Sequence, residues 1–354
     1  MVSKRILWAA SKYLLGFGLL AWVIWKYWAP PDSIGIAEAL RKPIHWLPVM
    51  LAATFFMASS MLTFVRWYVL VRAQELPFTL FNAFRLGLVG FFFNAFLPGS
   101  VSGDIVKAVF LVREQNRRTV AISTLIVDRA VGLWGLFWLV ALLGLFFWGI
   151  GNEALRDSAY LQTIVLISVG IVVFSLACWG LLGILPDKRA RRFASRLEHL
   201  PKVGMAAAEM WRAVWMYRQK WQGLSLALIL AIIGHVGFVL TFFFAAMIFL
   251  APSERDAIPS MVEHFLLVPI GMTFQAVFPA PGGVGGAEMA YGWLYTLVGK
   301  LAAFGVLGSL AQRMIMWVLA FAGYLVYLRM RPSMAAIPAS PSPLPTPQMQ
   351  VSEA

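Results

Sequence analysis

"NAFLPGSVSGD", residues Asn94–Asp104, sets a proline, two glycines and an acid directly after the apolar run 87–93. A second stretch, "PGGVGGAE" at Pro281–Glu288, repeats the pattern Pro-Gly-x-Val-x-Gly to an acid, with one residue inserted before Glu288. The match continues downstream. Asp104 is followed 25 positions later by Arg129, and Glu288 is followed 25 positions later by Arg313, each arginine inside an apolar segment. Proline removes a backbone donor and ends a helix, and glycine tolerates the turn that follows. The two breaks therefore divide the apolar regions 80–113 and 261–299 into halves shorter than the ~20 residues a crossing helix needs. Such halves suit helical hairpins that enter a membrane and return on the same side; two thin crossings would give the same parity.

The membrane itself follows from composition. Of 354 residues, 60% are hydrophobic and 13% charged, an apolar excess that a soluble domain of ordinary composition cannot hide. The fold class is an all-α polytopic membrane protein. The single cysteine, Cys178, lies in an apolar run, which excludes a disulfide framework and a zinc cluster and suits a small core residue. No cofactor is expected. The net charge of +13 comes without a basic soluble domain or zinc-finger spacing, so no nucleic acid is expected. The charge instead sets membrane orientation and meets anionic headgroups. The basic, apolar N-terminus has no small-residue cleavage site before Trp25 and Trp28 and reads as a retained first helix.

Six stretches come close to a full crossing: 6–28, 46–71, 119–149, 160–185, 223–250 and 303–328. The segment 186–222 carries nine Lys/Arg against three acids and should be a cytoplasmic basic loop. The connections near Glu153/Asp157 and Glu254/Asp256 are poor in Lys/Arg, as outside loops should be. Both termini then lie on the cytoplasmic side of the membrane. Residues 1–330 form one transmembrane domain, and the Pro- and Ser-rich 331–354 read as a disordered cytoplasmic tail. By the same count the first hairpin enters from inside and the second from outside. The repeats 46–149 and 223–328 are then of inverted topology, an arrangement in which broken helices meet near the midplane and supply a substrate site.

Backbone groups unpaired at a break must face protein or a watery cavity, and a half-helix that begins there offers N–H groups to an anion. Gly99, Gly103, Gly282, Gly283, Gly285 and Gly286 would let the backbone approach a bound group, or would serve only tight hairpin packing. Arg129 and Arg313 lie near mid-depth, where an arginine is costly unless paired or hydrated. They either brace the hairpins, Arg129 on Asp104 or Asp128 and Arg313 on Glu288, or also bind a phosphate with their bidentate forks. Lys107 and Arg85 sit nearer the cytoplasmic face and could meet a headgroup first. Asn94, with Asn82, Gln275 and Gln312, could line the cavity or cap exposed backbone. His235 is the one deep histidine, a hydrogen-bonded core residue or, with Asp128, a proton carrier.

Three motifs carry a resemblance: N-x-F-L-P-G-x-x-x-G-D with a basic residue at Asn94–Lys107, D-R-x-x-G-L at Asp128–Leu133, and P-x-P-G-G-x-G-x-x-E at Pro279–Glu288. Together they resemble the transmembrane, flippase-like domain of lysylphosphatidylglycerol synthases, over nearly the whole chain to about residue 330. The resemblance implies movement of a lipid between leaflets. The chain stops after the Pro-rich tail, so it implies that half of the synthases alone and leaves the lipid open. Where the first repeat has Asp128 before its arginine, the second has Gln312, so the halves are not electrostatically alike.

The leading expectation is a translocase, not a chemical catalyst, with an anionic, phosphate-bearing membrane lipid as partner. No Walker motif is present, so transport would run downhill or on an ion gradient. The alternatives are a membrane-embedded lipid-modifying transferase, or a scaffold that docks lipid-biosynthesis enzymes through its basic loop and tail.

Overall fold

The structure, a computed structural model, describes residues 4–97, 102–114, 118–200 and 204–335. Gly99 and the tail residues 336–354 lie outside them. Fourteen α-helices and two short 3-10 turns are formed among the described residues, with no strand. The first unit consists of α1 (Lys4–Lys26), α2 (Ile36–Leu40), α3 (Trp46–Ala73), the pair α4 (Leu80–Phe96) and α5 (Ser102–Glu114), and α6 (Arg118–Gly149). After α7 (Glu153–Asp157) and α8 (Ala159–Ile184) come α9 (Asp187–Glu198) and α10 (Gly204–Gln219). The second unit consists of α11 (Trp221–Ala246), the pair α12 (Met261–Val277) and α13 (Gly286–Leu297), and α14 (Ala302–Ala335).

Five helices are long and apolar enough to cross a membrane: α3, α6 from Val120, α8, α11, and α14 as far as Met330. The stretch 6–28, expected as a sixth span, forms the helix α1, which is not among these five. The basic segment 186–222 is not a loop: it folds into α9 and α10. α14 runs to Ala335, past the boundary expected at residue 330.

The two broken pairs are built by the same local chemistry. Thr79 caps α4, its hydroxyl accepting from the Asn82 amide at 3.1 Å, and Ser260 caps α12 in a reciprocal box with Glu263. Each helix ends at the residue before a proline, Leu97 and Phe278, and both residues are extended, as clash with a proline ring demands. At about 1.5 Å per residue, α4 and α12 reach about 25 Å and α5 and α13 about 20 Å or less, short of a ~30 Å hydrocarbon layer.

α3 and α11 pack antiparallel along their whole length. The His45 amide donates to the Ile248 carbonyl at one end, Gly237 lies on Ser59 in the middle, and Gly223 meets Ala73 at the other end. Phe55 stacks on Phe244 across this seam, and Phe56 meets Phe238 edge-on. The remaining contacts are reciprocal: α4 of the first unit packs on α14 of the second, and α12 of the second packs on α6 of the first. One buried apolar cluster gathers around Trp67, Leu86 and Leu111 of the first unit, and a larger one around Phe242, Tyr291 and Phe304 of the second takes in Val23, Ile36 and Leu139 of the first. α1 runs across the end of α4 and the second break. The Tyr13 hydroxyl donates to the Phe96 carbonyl at the end of α4, and the Gly16 backbone sits against Ala280, Val284 and Gly285.

Candidate functional site

The second break meets the end of the helix that leads into the first. Gly282 of the second lies beside the Ala95 carbonyl of the first and the Arg313 guanidinium, with φ of +55°, in the left-handed region that glycine adopts without strain. Next to this contact is a cavity of about 260 Å³. Asn94, Arg129, Gln275, Gly282, Gln312 and Arg313 supply its polar wall, and Phe56, Phe91, Phe238, Met272 and Met316 its apolar wall. Each arginine lies eleven residues after its helix begins, from 118 to 129 in α6 and from 302 to 313 in α14. The common spacing, the antiparallel seam and the breaks thus deliver two arginines from opposite units to one space.

Each arginine holds the acid 25 residues before it. Arg129 Nε donates to Asp104 Oδ2, while the other oxygen of Asp104 accepts from Lys107 Nζ at 3.1 Å. Arg313 donates to Glu288 Oε1 from both Nε (2.9 Å) and Nη2 (2.7 Å), and Nη1 reaches the Gly282 carbonyl at 3.0 Å. Glu288 also accepts from Ser309 at 3.2 Å and from the Gly285 amide at 2.7 Å. The bracing pairs are therefore present in both halves, but they are unlike. The Arg129 side chain is 42% exposed, whereas Arg313 is 4% exposed and Glu288 fully buried.

Asp128 pairs with neither repeat arginine. Arg66 of α3 holds it in a two-bond fork, Nε to Oδ1 at 2.8 Å and Nη2 to Oδ2 at 3.1 Å, with the guanidinium lying against Gly132. Arg66 was missed in the sequence, although a lone arginine inside an apolar span signals such a partner. Lys107 is buried, its ammonium 5.2 Å from the Trp67 ring centre, and Arg85 lies over Phe81; neither is on the cavity wall. His235 is also off the wall. Its Nε2 donates to the Gly132 carbonyl at 2.8 Å, and its buried Nδ1 has no hydrogen-bond partner among the described residues.

Of the described glycines at the breaks, only Gly282 reaches the cavity. Gly103 is pressed on the Gly90 carbonyl, Gly283 on Gln275, Gly285 on Gly16 and Gly286 on Phe278, so these four serve packing. The amides expected to receive an anion are taken by protein groups: Gly103 N–H by Asn94 Oδ1 at 2.7 Å, Gly285 N–H by Glu288. Gln275 likewise donates to the Gly282 carbonyl at 3.1 Å. Asn94 and Gln275 thus both cap a break and line the cavity.

Long apolar helices around a polar, arginine-lined cavity at the junction of two broken pairs define a multi-pass helical membrane protein with an internal polar site. The model of the family described as lysylphosphatidylglycerol synthase TM region matches residues 13–323. The chain belongs to that family. No curated protein and no solved structure matches it.

Proposed function

We propose that this protein is a lipid translocase of the bacterial inner membrane that moves an anionic, phosphate-bearing lipid between leaflets. The observation that carries the reading is the cavity reached by Arg129, in which an exposed guanidinium faces apolar and amide side chains. A cation held at such depth is stabilised by an anion, and a guanidinium fork matches phosphate. The headgroup sits against the arginine-bearing wall while its hydrocarbon chains stay in lipid.

In this reading the short pairs α4/α5 and α12/α13 are re-entrant hairpins, and the two units are an inverted repeat. Support comes from their matching caps, their proline-limited ends and the reciprocal packing of α4 on α14 and α12 on α6. Rocking of one unit against the other about the α3–α11 seam would expose the cavity to each leaflet in turn. The basic character of the exposed helix α9 supports an orientation with both termini on the cytoplasmic side.

The test is leaflet exchange of short-chain fluorescent phosphatidylglycerol in liposomes holding the purified protein. Wild type should exchange the lipid. Arg129→Ala should lose at least tenfold in rate, as should Ala276→Trp, which fills the cavity with an indole and leaves every charge in place. Exchange by both variants at the wild-type rate would sink the reading, as would absence of exchange in wild type.

A further inference from the structure

We infer that the two arginines have unlike roles: Arg129 takes the anionic headgroup, because Lys107 keeps Asp104 paired when Arg129 swings to the ligand, while Arg313 stays on Glu288 as a fixed brace. This rests on the lipid-translocation reading and narrows its binding site to one half of the cavity.

The argument concerns the acid each arginine would leave behind. A buried carboxylate stripped of its only cation is strongly destabilising. Asp104 has two cations, one on each oxygen, and Lys107 is buried in place beside it by Trp67. Loss of Arg129 to a phosphate leaves an Asp104–Lys107 pair. Glu288 has one cation only among the described residues, and its remaining partners are a hydroxyl and an amide. Arg313 spends Nε and Nη2 on that acid and Nη1 on the Gly282 carbonyl, which ties α14 to the second break. Moving it would strand Glu288 and loosen the turn together. Exposure agrees: the Arg129 side chain is about ten times as open as that of Arg313.

Charge identifies the ligand class. Among the described ion pairs, Arg66 with Asp128 and Arg313 with Glu288 are one cation to one acid, whereas Lys107 and Arg129 share the single acid Asp104. An anion beside Arg129 balances that group. That fits the phosphodiester of a lipid headgroup with no cation of its own, and disfavours a zwitterionic headgroup, whose ammonium would meet the same two cations.

The experiment is thermal unfolding of the purified full chain in detergent, with and without short-chain phosphatidylglycerol, and with short-chain phosphatidylcholine as control. At a hundredfold excess over its Kd the anionic lipid should raise the wild-type Tm by roughly 5 °C, and phosphatidylcholine should not. Arg129→Gln should melt near wild type and lose the lipid shift. Arg313→Gln should melt far lower without lipid, and the double variant Glu288→Gln/Arg313→Gln, which strands no charge, should recover most of that loss and keep the shift. Loss of the shift in both Arg129→Gln and the double variant would overturn the division of roles and leave the arginine-lined site standing. Persistence of the shift in Arg129→Gln would overturn the division alone, and its absence in wild type would overturn the division and the anionic-lipid site together.

Discussion

The fork between Arg66 and Asp128 shows how much of the site depends on pairs that no sequence motif announces. Both side chains are nearly closed to solvent, and the two hydrogen bonds join α3 to α6 in the first unit. Removing one partner leaves the other charge buried and alone, at a cost of about 3–5 kcal/mol. Arg66→Gln and Asp128→Asn should each lower Tm sharply. The double variant should lie above the sum of the two losses, because it strands neither charge. Strict additivity in thermal unfolding of the four proteins would show that the fork is not a coupled unit. Asp128 reads as a repeat residue because it precedes Arg129, yet its partner is 62 positions upstream, a distance across which periodicity carries no signal. By contrast the Asp104–Arg129 and Glu288–Arg313 pairs are legible because one spacing occurs twice.

Among the elements, the broken pairs were readable and the basic hairpin was not, for reasons that lie in residue size. Proline and capping residues mark the ends of α4 and α12 directly. α9, by contrast, fully buries only small residues, Ala190 and Ala194, with Trp211 of α10 donating to the Ala190 carbonyl at 3.0 Å and meeting the half-exposed Phe193 edge-on. A face of alanines on a strongly charged segment does not stand out as an apolar stripe, so the segment reads as a loop. Small residues also decide how tightly the first pair closes. A Cβ at Gly103 would stand 1.8 Å from the Gly90 carbonyl oxygen, so the backbones of α4 and α5 would have to separate. At Gly170, inside α8, a Cβ meets nothing within 4 Å. Gly103→Ala should therefore unfold several degrees below wild type and lower the yield of monodisperse protein. Gly170→Ala should be neutral or gain up to about 1 kcal/mol from helix propensity. Equal melting of the two variants would mean that the α4–α5 contact does not limit stability.

At the scale of the whole molecule, a shared cavity requires that the units face it from opposite directions. α3 and α11 are antiparallel, so the first break is reached from the end of the bundle opposite to that which leads to the second. This relation depends on the odd number of crossings between the units, and α8 is the helix that makes it odd. α8 buries its first half, through Leu161 and Val165, in the larger cluster and leaves Phe174, Leu181 and Ile184 of its second half strongly exposed. In the proposed inverted repeat its role is topological: it would return the chain to the other face before α11 begins. The reading can be checked in cells with a membrane-impermeant thiol reagent, after Cys178→Ser removes the native cysteine. Asp157→Cys, exposed just before α8, should be labelled in spheroplasts, and Ser195→Cys, exposed on the basic α9, only after lysis. Labelling of both from outside would mean that α8 does not cross and the units are not inverted. Labelling of Ser195→Cys alone would keep the inversion but turn the molecule over. The Asp104–Lys107–Arg129 half of the cavity would then belong to the hairpin that enters from outside, and an anionic headgroup would meet the fixed brace on the cytoplasmic side first.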